Sequence, residues 1–390
     1  MIIPTKNEEN TIGRCIEKIK KVFEEYKIDG EIIVSDSSTD KTPEIARSLG
    51  AKVVTPDKLG YGYAYLYAFR FAKGKYIVIG DGDDTYDFLE MPKLLEPLRK
   101  GEADLVIGSR FKGKILPGAM PWLHRYIGNP LLTWILNVLF KAGVSDAHSG
   151  FRAFTREALE KMDLKCYGME FASEMIIEAV RRGLRIKEVP ITYYPRRGES
   201  KLSSFSDGWR HLRFMLLQTP KYLFYIPGLI MFTIGFLLTV TMAVTEVKIF
   251  GIRLGIHSMI ASALLTLAGY QLIFIGLFSA IYARSMGMVE YDRITKLIAR
   301  FMTLERGLLL GIFLTALGFF YILLLVRQWV DSGFKSLPML NQDIFGFTIF
   351  ILGLQTIFFS FFLSLALESQ QRVTFTYTAS NPRKDAKKSC

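Results

Sequence analysis

Lys75-Tyr76-Ile77-Val78-Ile79-Gly80-Asp81-Gly82-Asp83-Asp84 is a short apolar run that empties into three carboxylates within four residues. Gly74 bounds the run before it and turn residues bound it after, which is the pattern of a buried strand. In an open α/β sheet ligands bind beyond the carboxyl ends of the strands, so these acids stand where a substrate would lie. Two carboxylates spaced i, i+2 across a glycine offer hard oxygen ligands to Mg²⁺ or Mn²⁺, and such an ion neutralises a diphosphate. A solvated acidic turn is the plainer alternative for one short motif.

Working outward, the first 110 residues repeat a βα rhythm. Ile2-Ile3 leads into Pro4-Thr5-Lys6-Asn7-Glu8-Glu9-Asn10, and an apolar-periodic helix runs from Ile12 to about Tyr26. Glu31-Ile32-Ile33-Val34 is a second strand, ending at Ser35-Asp36-Ser37-Ser38-Thr39-Asp40, and Pro43 suits the first turn of the helix that follows. Lys52-Val53-Val54 is a third strand, and Gly60-Tyr61-Gly62-Tyr63-Ala64 opens another helix. Alternation of this kind predicts an α/β domain whose mostly parallel, Rossmann-like sheet is covered on both faces. Asn7-Glu8, Asp36, Asp81 and Asp83 then line one crevice. A single such cluster reads as helix capping, the default for Asn7 or Ser38; three at one sheet edge favour a nucleotide site. No G-x-x-x-x-G-K-[ST] occurs, and Gly60-Tyr61-Gly62 lacks the third glycine of a dinucleotide fingerprint. Binding through a metal held by acids is what remains.

The 390 residues leave room for a second domain. Half of them are hydrophobic, but unevenly so. Residues 223–245, 258–282, 307–326 and 344–367 carry no Asp, Glu, Lys or Arg, and each reaches the ~20 residues a helix needs to cross a bilayer. Four spans are predicted over 223–367, with a basic tail at 368–390. Arg284, Arg293, Lys296, Arg300 and Arg306 lie in one loop, and Arg372, Arg383, Lys384, Lys387 and Lys388 in the tail. The opposite loops carry only Lys248, Arg253, Arg327 and Lys335, so the catalytic half and both termini are expected in the cytoplasm. No signal peptide opens the chain, in keeping with that side. The net charge of +12 suits anionic headgroups and phosphorylated substrates better than nucleic acid, of which no motif is visible. Three widely spaced cysteines imply neither disulfide nor zinc. Trp209, Arg210, His211, Arg213 and Phe214 make 206–222 an expected interfacial helix, and Trp122–Leu139 a second amphipathic stretch for which core packing is an equal alternative.

In order along residues 2–205 come Ile3-Pro4-Thr5-Lys6-Asn7-Glu8, Val34-Ser35-Asp36-Ser37-Ser38-Thr39-Asp40, Asp81-Gly82-Asp83, Gly108-Ser109-Arg110, Ser149-Gly150-Phe151-Arg152-Ala153-Phe154 and Gly198-Glu199-Ser200-Lys201-Leu202. Together these resemble the GT-A fold of family 2 glycosyltransferases, and within it the polyprenyl-phosphate sugar synthases such as dolichol-phosphate mannose or glucose synthase. The resemblance implies a catalytic domain over 1–205. It implies that Pro4 and Glu8 hold base and ribose, that Asp36 reads the nucleobase, and that Asp81 and Asp83 contact the donor and its Mg²⁺ or Mn²⁺. Arg110, Ser149 and Arg152 fall near the lipid phosphate, and Lys201 in a loop closing over the diphosphate. Three departures stand out: Ser35 replaces a first acid, the usual D-A-D-L-Q becomes Asp81-Gly82-Asp83-Asp84-Thr85 so that Asp84 is a third metal candidate, and the first strand starts at Met1 where relatives have earlier residues.

The implied reaction moves a hexose, glucose or mannose, from a nucleotide sugar (UDP-glucose or GDP-mannose) to polyprenyl or dolichyl phosphate with inversion; a homo-oligomer is left open. A phosphate monoester, with a second pKa of about 6, is already a nucleophile at neutral pH. Such an acceptor needs cations to place it, and Arg110, Arg125, Arg152, Arg196, Arg197 and Lys201 are at hand, with Lys201 or Arg197 expected on the donor side to help a metal at Asp83 neutralise the leaving diphosphate. Glu170 and Glu174, i and i+4 on a helix, offer a base or a partner for Arg182 or Arg185, and Asp146 with His148 an ordered loop. The four histidines show no metal-ligand spacing. A processive polysaccharide synthase would carry Q-x-x-R-W, which is absent. A transfer to another lipid or glycan remains a rival, and a transporter a distant one, since the spans hold only Gln271, Gln355 and hydroxyls.

Overall fold

The structure, a computed structural model, describes residues 1–197, 204–285, 303–335 and 340–380. It divides into two compact units, Met1–Met215 and Leu216–Cys390.

In the first unit, β1 (Ile2–Thr5), β2 (Ile33–Asp36), β3 (Lys52–Val54), β4 (Tyr76–Ile79), β5 (Leu105–Ile115), β6 (Arg152–Thr155) and β7 (Ile186–Tyr193) form one sheet in the order β3-β2-β1-β4-β6-β5-β7. The sheet is parallel except for β6, which runs antiparallel to both β4 and β5. That strand is the departure from the expected βα rhythm: Phe151-Arg152-Ala153-Phe154 returns along β4 rather than crossing over.

Side chains alternate across the sheet because the strand repeat is two residues. Ile3, Val34, Val78 and Val106 face one layer with Ile12, Ile16 and Ile19 of α1 (Ile12–Glu25), Ala46 of α2 (Thr42–Ser48) and Leu94 and Leu98 of α4 (Met91–Arg99). Ile2, Ile33, Ile77, Ile79 and Leu105 face the other. There they meet Tyr65 of α3 (Tyr61–Phe69), Leu136 of α5 (Asn129–Phe140), Ala158 of α6 (Arg156–Lys161) and Met175 of α7 (Phe171–Arg181). Each fully buried Val, Leu or Ile contributes about 1.5–3 kcal/mol, so both helical layers are firmly seated.

The chain moves from β1 to β2 to β3 on one side, then returns to place β4 on the other side of β1. The adjacent carboxyl ends of β1 and β4 therefore diverge at a switch point, the place where open α/β sheets form a ligand crevice. The acidic loop after β4 emerges there.

The helix α8 (Ser204–Leu217) covers the region expected to lie in the interface. It is only partly free to do so, because Met215 is buried in the sheet-side core and His211 Nδ1 meets Ser173 Oγ at 2.9 Å, while Trp209 stays exposed. Over 122–140 a turn of π-helix (His124–Gly128) runs into the largely apolar α5. Thr133 and Leu136 are buried, whereas Trp122, Tyr126, Leu131, Trp134 and Val138 stand out.

The second unit contains α9 (Ile226–Val244), a two-residue-strand hairpin of β8 (Lys248–Ile249) and β9 (Ile252–Arg253), α10 (Ile256–Ser285), α11 (Leu304–Asp331) and α12 (Leu340–Ser380). Among the described residues four stretches are long and apolar enough to cross a membrane: Lys221–Val244, Ile256–Arg284, Leu304–Asp331 and Leu340–Glu368. The last three extend the charge-free runs read from sequence at both ends, the first starts two residues earlier and stops one short, and the fourth takes in Asp343, buried in its first turn. Small residues let these helices pack closely, Gly235 against Ser262 and Thr266, and Gly353 against Thr315. The expected tail begins as helix, since α12 runs on to Ser380. Arg293, Lys296, Arg300, Arg383, Lys384, Lys387 and Lys388 lie outside the described residues.

Candidate active site

The loop leaving β4 has two carboxylates aimed at the switch point. Asp81 accepts from the Tyr61 hydroxyl at 2.9 Å. Enclosure by its neighbours and the nearby Asp83 charge push its pKa up to about 7, with Arg196 and Arg110 pulling the other way. Asp83 Oδ1 accepts from the Thr85 hydroxyl at 2.6 Å, leaving Oδ2 toward Arg196 Nη1 at 3.5 Å. Gly82 between them is required by space, because a Cβ there would stand 2.9 Å from Thr5 Cγ2 and 3.2 Å from Ile3 Cγ2. Its carbonyl accepts from Thr11 Oγ1 at 2.7 Å, which ties the loop to the start of α1.

The loops after β1 and β2 are knitted together beside it. Asn7 N donates to Ser38 Oγ at 2.7 Å and Thr39 N to Asn7 Oδ1 at 2.8 Å. Asn7 and Ser38 thus cross-link two loops instead of capping helices. Asp36 is buried at the end of β2 and accepts from Thr5 Oγ1 at 2.7 Å. Pro4 sits in β1 opposite Ser35. Glu8 Oε1 accepts from Arg196 Nη2 at 3.0 Å.

On the far side, Arg110 near the middle of β5 makes a fork-to-fork pair with Asp146, Nε to Oδ2 and Nη2 to Oδ1, both 2.8 Å. Its charge reaches Asp81. Beside it opens a cleft of about 250 Å³ lined by Arg110, Phe111, Ile115, Arg125 and Tyr126. Tyr126 and Trp122 pack ring to ring at 5.9 Å, continuous with the exposed apolar face of 122–138.

The family models and a close relative in sequence give one assignment. The family model described as glycosyl transferase family 2 matches residues 1–163, and that of the glycosyltransferase family 2 C-terminal transmembrane region matches residues 277–367. The low-salt glycan biosynthesis hexosyltransferase Agl6 of Haloferax volcanii is 51% identical over 363 residues, covering 93% of this chain and 87% of its own. The chain belongs to glycosyltransferase family 2. The dolichyl-phosphate hexose transferase of the same organism is 36% identical over 212 residues, covering 53% of this chain and 88% of its own. Among solved structures, glucosyl-3-phosphoglycerate synthase from Mycobacterium tuberculosis, crystallised with Mn²⁺, UDP and glucosyl-3-phosphoglycerate, aligns with 55% of this chain and 77% of its own. Its TM-score is 0.46 at 27% identity.

This glycosyltransferase is therefore an integral membrane enzyme with an α/β catalytic unit. Its structure redistributes the residues named from sequence. Asp81, Asp83, Glu8 and Arg110 gather at the switch point. Ser149 and Arg152, expected at the acceptor phosphate, are buried and committed elsewhere. Ser149 Oγ donates to Gly108 O at 2.6 Å. Arg152, 1% exposed, donates Nε to Ser149 O at 2.8 Å, Nη1 to Ala172 O at 2.7 Å and Nη2 to Ala147 O at 2.9 Å. Their motif shapes the loop that presses Gly150 against Asp81, where a Cβ would come 2.7 Å from Oδ2.

Asp84, a third metal candidate in the sequence, turns away at φ +58° and pairs with Lys18 at 2.7 Å and Arg14 at 3.6 Å. Arg197 approaches that same carboxylate at 3.8 Å, so the arginine beside Asp83 is Arg196. Glu174 is no free base, because it accepts from Lys165 N at 2.8 Å and Cys166 N at 2.9 Å; burial raises its pKa. Arg182 pairs with Glu178 and Arg185 with Asp104 rather than with either of the two acids expected. Lys201 and the rest of Gly198–Leu202 lie outside the described residues.

Tyr61, Lys18 and Arg14 were not singled out from the sequence. Lys18 and Arg14 carry a signal, cations at i and i+4 on the helix behind the crevice. Tyr61 carries none, standing 20 residues from the carboxylate it serves.

Among the described residues no three His, Cys, Asp or Glu side chains converge on one metal position. Two carboxylates close enough to repel still fit Mg²⁺ or Mn²⁺, which is commonly held by one or two carboxylates with substrate phosphates completing the shell.

Proposed function

We propose that this enzyme transfers a hexose, glucose or mannose, from a nucleoside-diphosphate sugar to a polyprenyl phosphate of the dolichyl type, with inversion, at the cytoplasmic membrane face. The observation that carries the reading is the cationic cleft of Arg110 and Arg125, bounded by Tyr126 and continuous with an exposed apolar helix face. An acceptor with an anionic head and a greasy tail matches that combination. Among the described residues no carboxylate or histidine lines the cleft, which suits an acceptor that is already ionised. The name of the 36%-identical relative, a dolichyl-phosphate hexose transferase, supports the same class.

In this reading Pro4, Glu8 and Asp36 bound the nucleoside, Asp81 and Asp83 would hold the divalent ion, and Arg196 with Arg197 meets the diphosphate. The ion, when bound, neutralises charge on the leaving diphosphate. Tyr61 holds the Asp81 carboxyl in place, and Thr85 orients Asp83 so that Oδ2 faces the donor. Asp146 fixes the plane of Arg110, so the guanidinium is oriented before the acceptor phosphate arrives. Attack by the phosphate oxygen from the face opposite the leaving group inverts the anomeric carbon. The exposed aromatic stripe from Trp122 to Val138 suits the headgroup layer, where such a phosphate is displayed.

The test supplies labelled UDP-glucose and GDP-mannose in parallel to membranes containing the enzyme and polyprenyl phosphate. Organic-phase label is expected from one donor, and its loss on chelation and in Asp83→Ala. Label confined to insoluble polymer overturns the proposal in favour of a processive synthase.

A further inference from the structure

We infer that Arg196 is a resident counter-ion of the donor site, occupying the cation position beside Asp83 until the metal–nucleotide displaces it. The inference rests on the metal-dependent donor site proposed above and adds its regulation.

The Arg196 guanidinium lies between two carboxylates at the switch point, Glu8 and Asp83, with Asp81 near enough to feel its charge. Nη2 is 3.0 Å from Glu8 Oε1, Nη1 is 3.5 Å from Asp83 Oδ2, and the charge also acts on Asp81. Among the described residues Arg196 is the cation within ion-pair distance of Asp83, whereas Asp84 keeps Lys18 and Arg14 whatever Arg197 does. The hold is incomplete: Nε is buried without a hydrogen-bond partner, and the Asp83 contact is an ion pair at 3.5 Å rather than a good hydrogen bond. An arginine so placed stabilises the empty acids yet is poorly satisfied there.

The backbone just before it is fixed. Tyr194 N donates to Thr85 O at 2.9 Å, and Thr192 N to Glu90 Oε2 at 3.0 Å. Arg196 is therefore the first side chain past β7 able to swing while the strand stays in register. A divalent ion entering alone must expel the guanidinium from Asp83 and give it nothing in return. An ion entering with a diphosphate supplies new oxygens for the arginine fork, which suits such groups. Metal and nucleotide then bind with positive coupling, and Arg196 is the element that couples them.

Mn²⁺ affinity of the full-length protein in detergent, measured by electron paramagnetic resonance with no turnover, tests this. The titrations are run alone and with saturating UDP or GDP. Wild type is expected to bind Mn²⁺ weakly alone and about 5–150-fold more tightly with one nucleotide, the ordinary range for coupled sites. Arg196→Ala and Arg196→Gln are expected to tighten Mn²⁺ alone by about tenfold and shrink the nucleotide effect toward unity, whereas Arg196→Lys retains part of both. Arg185→Ala, whose partner is Asp104 just before β5, leaves the affinity for Mn²⁺ alone unchanged. Nucleotide-enhanced binding in wild type with no tightening in either Arg196 variant overturns the inference and leaves the donor-site reading intact. No Mn²⁺ binding in any protein, with or without nucleotide, overturns both.

Discussion

Replacing Arg152 with lysine separates the motif reading from the structural one. Lysine keeps the positive charge, so a residue that gripped the acceptor phosphate would lose only part of its affinity. In the structure Arg152 is 1% exposed and spends three nitrogens on the carbonyls of Ser149, Ala172 and Ala147. A hydrogen bond to a charged group contributes about 1.5–3 kcal/mol. An ammonium on a flexible stem replaces one of these three bonds at best, leaving two carbonyls in the 147–149 loop and at Ala172 poorly served. The expected destabilisation is about 3–6 kcal/mol. For a unit of this size that lowers the melting temperature by about 6–24 °C. The assay is thermal unfolding of the purified full chain in detergent, paired with acceptor KM at a temperature where the variant stays folded. The melting temperature should fall, and the remaining folded enzyme should keep its acceptor KM while kcat drops, because Gly150 no longer presses squarely on Asp81. An unchanged melting temperature with a raised acceptor KM would refute the structural assignment of Arg152.

Arg125→Ala, by contrast, should raise the KM for polyprenyl phosphate about 10–100-fold with the donor KM unmoved, the worth of one charge-assisted contact; equal effects on both substrates would remove Arg125 from the acceptor cleft. Gly82→Ala forces a methyl against Thr5 and Ile3 and displaces both flanking carboxylates, so kcat should fall about a hundredfold, as for misplacement of order 1 Å. Near-normal turnover in that variant would show that the loop yields. Burial holds the His211 pKa down at about 4 against an unfolded value of 6.5. Its neutral form therefore stabilises the fold fully above pH 6.5, and the contribution, of order 3 kcal/mol, is lost as pH falls from 6.5 toward 4. The melting-temperature gap between wild type and His211→Gln should narrow over that window, and a gap that widens on acidification reverses the sign.

The elements whose pattern was local were legible. The strands at Ile2, Ile33, Lys52 and Tyr76 announce themselves through short apolar runs between turn residues, and the order of polar clusters at their ends follows from a parallel sheet. Four charge-free runs reveal the membrane helices because the bilayer permits little else. What escaped depends on contacts far apart in sequence. The antiparallel course of β6 is set by pairing of Arg152 with Ile79 and Ile107, and nothing within its four residues states a direction. Tyr61 reaches Asp81 only because α3 starts beside β4.

The arginines teach the same lesson most sharply. Arg110, Arg152, Arg196 and Arg197 look alike in a basic, motif-rich sequence, yet chemistry follows burial and partner. Arg152 with three carbonyls is a strut, and Arg197, mostly exposed near an already paired Asp84, is loosely held. Arg110 is buried too, but its partner is the Asp146 carboxylate, and it borders the cleft. A buried arginine locked by a carboxylate at the rim of a cleft keeps an oriented face for an anion, because the pair cancels the desolvation that would otherwise strand the charge. Breaking that pair by Asp146→Ala should therefore cost both stability, about 3–5 kcal/mol, and acceptor affinity together. Arg152→Lys costs the first alone. Stability and acceptor KM measured side by side on the two variants decide which arginine meets the phosphate, and a raised acceptor KM in Arg152→Lys with none in Asp146→Ala would reverse the assignment.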